Sequence, residues 1–251
     1  MRRSWRRPGA LVLACAALLG ACTGRGDAAA NSGTNGSAVA GDSGNVAASG
    51  APAGENTPSA AGTVARVVML GTSLTAGLGL DPERAYPALL QAKADSAGLK
   101  VRIVNAGLSG ETSAGALRRA AWVLDQPASL VVLEVGANDG LRGVDPDTTY
   151  ANIVKLVETV RRTRPEAKLA LVQMEAPPNF GKDYTTRFHA TYVRAAEATG
   201  VPLWPFLLDR VAGVSRLNQG DGIHPNEEGS KVVAATVWAA MEPALRAFAN
   251  P

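Results

Sequence analysis

From residue 64 onward the chain alternates short β-branched apolar runs with segments whose apolar residues recur at helical spacing. This rhythm limits the fold more than any other feature of the sequence. Val64–Leu70, Val101–Val104, Leu130–Val135, Leu169–Met174 and Val201–Trp204 read as five strands. Residues 84–97, Ala114–Leu124, Thr148–Arg162, Asp183–Thr199 and Glu227–Phe248 read as the helices between and after them. The third run opens on four consecutive apolar residues, as expected of a strand covered on both faces. Regular alternation predicts an α/β domain over 64–251: three layers, with a doubly wound, mostly parallel five-stranded sheet between helices. Ligands on such sheets bind beyond the carboxyl ends of the strands, so the loops there are the place to seek chemistry.

The first 63 residues do not share this rhythm. Arg2, Arg3, Arg6 and Arg7 precede an apolar stretch of 11 residues, Leu11 to Ala21. That stretch is signal-like and shorter than the ~20 residues of a membrane span. It ends in Leu19-Gly20-Ala21-Cys22, which resembles the lipobox of bacterial lipoproteins. The resemblance implies that residues 1–21 are a signal peptide and that the Cys22 thiol is acylated after cleavage. An exported protein anchored to a cell-envelope membrane, periplasmic or outer, is the corresponding expectation. Residues 23–63 are mostly Gly, Ala, Ser, Asn and Thr, with Val39 and Val46 the only larger aliphatic residues. Such a segment buries too little surface to offset its ordering entropy, so 22–63 reads as a lipidated cysteine and a disordered linker. By flexible-chain scaling the linker reaches roughly 35 Å.

This division disposes of the apparent basicity. The full chain carries +3, but without the four leader arginines it carries −1, and residues 64–251 alone carry +1. No nucleic-acid footprint remains. Both cysteines, Cys15 and Cys22, lie in the leader and lipobox, and only two histidines are present. A Cys/His zinc cluster and a disulfide framework are therefore excluded.

Four loops carry polar residues suited to catalysis. They are Gly71-Thr72-Ser73-Leu74-Thr75-Ala76-Gly77, Asn105 to Thr112 with Ser109-Gly110-Glu111-Thr112, Gly136-Ala137-Asn138-Asp139-Gly140, and Asp221-Gly222-Ile223-His224-Pro225-Asn226. Each alone has an ordinary structural explanation: a helix cap, a glycine turn, an Asn-Asp-Gly turn, a satisfied histidine. In this order, at these strand ends, they resemble the SGNH (GDSL) hydrolase family. The flanking Ala85-Tyr86-Pro87-Ala88-Leu89-Leu90 and Pro177-Pro178-Asn179-Phe180-Gly181 look like its bacterial thioesterase/lysophospholipase/arylesterase subgroup.

The resemblance covers about residues 65–247. It implies a flavodoxin-like fold and a serine esterase acting on acyl esters, with no metal or organic cofactor. It makes Ser73 the nucleophile, His224 the general base and then acid, and Asp221 the residue that orients the imidazole. It assigns the oxyanion hole to the backbone N–H groups of Ser73 and Gly110 and the side-chain amide of Asn138. It also places Phe180 and Tyr184 in a loop on the acyl-binding side.

The residue chemistry is compatible with these roles. A serine hydroxyl needs a base to take its proton, and Asp221 lies one turn before His224. Pro225 suits the first position of the closing helix. One departure stands out: the family's Gly-Asp-Ser is here Gly71-Thr72-Ser73. Thr72 can accept a backbone hydrogen bond but brings no charge, so weaker local order is expected. Asp139 is expected to brace its loop. Trp122, Trp204 and Trp238 are expected in the core, and His189 has no partner motif. Two alternatives share the motif set: a carbohydrate O-deacetylase of the same fold, and a catalytically weak surface lipoprotein.

Overall fold

The computed structural model describes residues 64–249. The leader, Cys22 and linker expectations lie outside the described residues. Five strands form one parallel sheet: β1 (Ala65–Gly71), β2 (Val101–Gly107), β3 (Leu130–Leu133), β4 (Lys168–Val172) and β5 (Leu203–Trp204). Their order is β2-β1-β3-β4-β5. The chain therefore turns back at β1, and the crevice opens between the carboxyl ends of β1 and β3.

Helices α2 (Tyr86–Ser96) and α7 (Glu227–Ala249) pack together, while α3 (Ser113–Val123), α5 (Pro146–Thr163) and α6 (Lys182–Thr199) form a second group. Two short helices, α1 (Ser73–Ala76) and α4 (Ala137–Arg142), start at the carboxyl ends of β1 and β3. These two were not evident from periodicity, because one turn is too short to show a stripe. Val67, Val68, Leu70, Val131, Val132 and Leu133 have no exposed surface, as the apolar runs require.

Each helix buries the face its spacing dictates. On α5 that face is Ile153, Leu156, Val157 and Val160, all fully buried. On α3 the buried residues are Ser113, Gly115, Ala116 and Ala120, and Trp122 lies off that face and is 78% exposed. The expectation that Trp122 is core is thus corrected by helix geometry. Trp204 and Trp238 are partly buried against the core.

The free edge of β2 is blunted by side chains. Gln91 of α2 accepts from the Ile103 N–H at 2.7 Å and donates to the Val101 carbonyl at 3.0 Å. Asn105 Oδ1 takes the Gly107 N–H at 3.0 Å. An edge whose N–H groups already have partners is a poor template for another strand.

Candidate active site

Ser73 opens α1 directly beyond β1 and is 7% exposed. Thr72 caps this helix, accepting from the Leu74 N–H at 3.4 Å. The helix is one turn long and closes on Gly77, whose φ of 76° is left-handed. It lies so close to β2 that a Cβ on Gly107 would sit 2.2 Å from the Ala76 nitrogen. Only glycine allows that approach.

His224 joins Ser73 from the other end of the chain. Its Nε2 lies 2.8 Å from Ser73 Oγ, and its Nδ1 lies 2.6 Å from Asp221 Oδ2. The other Asp221 oxygen accepts the backbone N–H groups of Ile223 at 2.9 Å and His224 at 3.0 Å. One carboxylate thus folds its own loop and aims the ring. Partial desolvation pushes the Asp221 carboxyl up, but the hydrogen bonds from His224 and Ile223 outweigh it and hold the pKa at about 2. Gln219 Nε2 ties this loop to the serine loop, donating to the Leu78 carbonyl at 2.7 Å and the Pro225 carbonyl at 2.9 Å. Pro225 does not open α7 as expected. It forms a bridge with Asn218, and Asn226 Oδ1 caps the helix by accepting from Gly229 N–H at 3.0 Å.

The expected oxyanion residues are linked in sequence. Leu108 N–H donates to the Gly71 carbonyl at 2.9 Å, which draws the Gly110 loop towards α1. Gly110 has a φ of 77°, so its place in this loop favours glycine. Asn138 lies in the first turn of α4, 9% exposed, and its Nδ2 donates to the Glu111 carbonyl at 3.0 Å. An amide nitrogen has two hydrogens, so a second donor remains for a ligand. The Glu111 carboxylate is clamped by Arg119, whose Nη2 also donates to the Ala106 carbonyl at 2.8 Å. Asp139 braces the same region as expected, accepting from Ser113 N–H at 2.7 Å and Thr149 Oγ1 at 3.3 Å.

Thr72 is better held than its lack of charge suggests. The carboxylate it needs comes from Glu134, which follows β3 and is 1% exposed. Glu134 accepts from Thr72 N–H at 2.8 Å, Thr72 Oγ1 at 3.0 Å and Thr75 Oγ1 at 2.8 Å. The Tyr86 hydroxyl lies 2.7 Å from Thr75 Oγ1. Burial raises the Glu134 carboxyl to about 7, with the Thr72 and Thr75 donors holding it down in part. The expected loss of order at Thr72 is therefore not seen. Glu134 itself was missed, although a lone acid within the run Leu130–Val135 was the available signal.

An apolar groove of about 370 Å³ adjoins this site, walled by Leu74, Leu141, Met174, Pro177, Phe206 and Ile223 among others. Phe180 and Tyr184 take a different place. Phe180 is 44% exposed with its ring centroid 5.2 Å from that of Tyr184. Tyr184 donates to the Val144 carbonyl at 2.8 Å and so fastens the segment after α4. His189 does have a partner: its Nδ1 lies 2.6 Å from Glu175 Oε1. Among the described residues no cluster of three or more His, Cys, Asp or Glu could hold a metal ion.

A doubly wound sheet with a Ser-His-Asp hydrogen-bond chain beyond its carboxyl ends defines a class of α/β hydrolytic folds. Within that class the chain belongs to the GDSL-like lipase/acylhydrolase family, whose model matches residues 69–232. Esterase TesA of Pseudomonas aeruginosa is 37% identical over 180 residues, covering 71% of this chain and 89% of that protein. Thioesterase 1/protease 1/lysophospholipase L1 of Escherichia coli K12 is 35% identical over 178 residues, covering 70% of this chain and 83% of that protein. The crystal structure of the psychrotrophic esterase EstA from Pseudoalteromonas sp., inhibited by monoethylphosphonate, superposes with a TM-score of 0.69. It is 34% identical and covers 72% of this chain and 98% of its own.

Proposed function

We propose that the protein is a serine esterase that hydrolyses acyl esters and related thioesters or lysophospholipids. The observation that carries this reading is the unbroken chain Ser73 Oγ, His224 Nε2, His224 Nδ1, Asp221 Oδ2. His224 takes the Ser73 proton as Oγ attacks the acyl carbon, and later returns a proton to the leaving oxygen or sulfur. Asp221 holds the imidazole and stabilises its protonated form. The backbone N–H groups of Ser73 and Gly110 and the Asn138 amide receive the oxyanion. Water then attacks the acyl-Ser73 ester with His224 as base, and the acid is released.

The names of the relatives support ester and thioester chemistry. The apolar groove supports an acyl chain longer than acetyl, since its volume falls in the ~300–1,000 Å³ range of small-molecule sites. Phe180 and Tyr184 would act at its margin through the loop they stabilise. The exported, lipid-anchored state belongs to the same reading and is supported by the Arg-rich leader and the Cys22 lipobox.

Purified protein and Ser73→Ala should be compared on p-nitrophenyl acetate, butyrate and octanoate. Wild type should favour the longer chains, and the variant should lose at least ~10³-fold in kcat/KM. Equal rates for the two proteins would end the proposal, and a strict acetyl preference would replace it with the O-deacetylase reading.

A further inference from the structure

A second feature of the surface lies apart from the Ser-His-Asp chain. A groove of about 500 Å³ runs along the outer part of the sheet, between the carboxyl half of β2 and the end of α3. Its walls include Arg66, Val104, Leu108, Trp122, Asp125 and Gln126. Trp122 is 78% exposed and Leu108 49% exposed, so two large apolar side chains of one groove stand in water.

The charge around the groove is one-sided. Arg66 and Arg102 are neighbours in the β1–β2 register. Arg164 reaches the same place, donating through Nε to the Gln126 carbonyl at 3.0 Å, while Arg66 Nη1 donates to that carbonyl at 3.3 Å. Burial, then repulsion from Arg102 and Arg164, lowers the Arg66 pKa. Among the described residues none of these three arginines forms a salt bridge. Arg118, one helical turn before Trp122, is exposed as well. The facing carboxylate in the groove is Asp125, and Glu111 is already committed to Arg119. Tyr150 and Lys168 stack with other cations or rings elsewhere and do not enter it.

Strand addition does not account for the groove, because Gln91 and Asn105 already hold edge N–H groups of β2. What remains is an indole and a leucine standing in water beside three arginines that form no salt bridge among the described residues. Indole rings settle at the headgroup level of bilayers, and arginines near an anionic surface are attracted to it. We propose that this face docks on an anionic lipid surface, with Trp122 in the headgroup layer and Arg66, Arg102 and Arg164 facing lipid phosphates. Leu108 extends the contact to the loop that carries Gly110. The inference does not rest on esterase activity, since binding is read without turnover.

The test uses the full chain and the emission of Trp122, isolated by subtracting the spectrum of Trp122→Phe. Subtraction removes the emission of the other tryptophans, and both proteins carry Cys22→Ser, so that no acyl group on that thiol can hold them on the vesicle. Vesicles of brominated phosphatidylglycerol should quench that emission, and vesicles of brominated phosphatidylcholine should quench it several-fold less. The double variant Arg66→Gln/Arg102→Gln, or raised salt, should weaken the quenching several-fold. Hydrolysis of dissolved p-nitrophenyl butyrate should be unchanged in these variants, which shows that they fold. Quenching by both lipids alike, or none, would overturn the proposal. So would protection of Trp122 by a soluble acidic polysaccharide in the absence of quenching.

Discussion

Asp221 uses its two oxygens for two tasks: Oδ2 takes the His224 ring and Oδ1 takes two backbone N–H groups. An asparagine has a single oxygen and cannot do both. Asp221→Asn should therefore lower kcat/KM by about 10⁴, the scale seen when a triad acid is made neutral. Steady-state kinetics with a circular-dichroism control checks this. Because the carboxyl is held at about 2, its ionised form spans the mildly acidic range, and its stabilising contribution fades only as pH falls towards that value. The residues of this chain were legible because their chemistry is rare and their order is distinctive. Glu134 was not, because its role depends on Thr72 and Thr75, which lie about 60 positions away and meet it only in the folded sheet. Asp139 was legible as a brace, but its partners Ser113 and Thr149 were not.

At the scale of elements, the carboxyl ends of β1 and β3 are joined by the Glu134 carboxyl. Its folded pKa of about 7 stands above the ordinary value of 4.5. As pH rises through that interval the unfolded chain loses its proton first, so stability falls, and it levels off above about 7. The full swing is on the order of 3 kcal/mol. Unfolding free energies from urea titrations at about pH 5 and about pH 8 should differ in wild type by that amount at most, and much less in Glu134→Gln. The contact between α1 and β2 gives a second expectation. Gly107→Ala places a methyl against the Ala76 nitrogen, so α1 must shift and carry Ser73 with it. Activity should fall about 10²-fold, with a loss of stability of about 1–3 kcal/mol, measured by kinetics and urea titration. Strand and long-helix positions followed from periodicity to within a few residues. The short helices and the bridge at Pro225 did not, because individual hydrogen bonds set them and leave no periodic pattern.

For the whole molecule, the excess of positive charge lies at the amino end, beside the proposed anchor Cys22. The leader holds four arginines, while residues 64–251 carry only +1. If Cys22 is the acylated residue, Cys22→Ser should move the protein from the detergent phase to the aqueous phase in Triton X-114 partition. Its intact mass should then lack the acyl groups, and its turnover of a dissolved ester should be unchanged. No helix among the described residues is long and apolar enough to cross a membrane. Trp122 shows where whole-molecule reading from sequence stops. Its type suggested core, but the phase of α3 decided otherwise.

The bond between Ser73 and His224 spans 151 positions. Nearly all of the domain must therefore be made before its two halves can meet. Contacts of such long range form late, since the chain must first lose the freedom of the intervening loop. A chain still short of residue 224 would hold its serine without its base. The order of synthesis thus leaves the nucleophile without its base until residue 224 has been made.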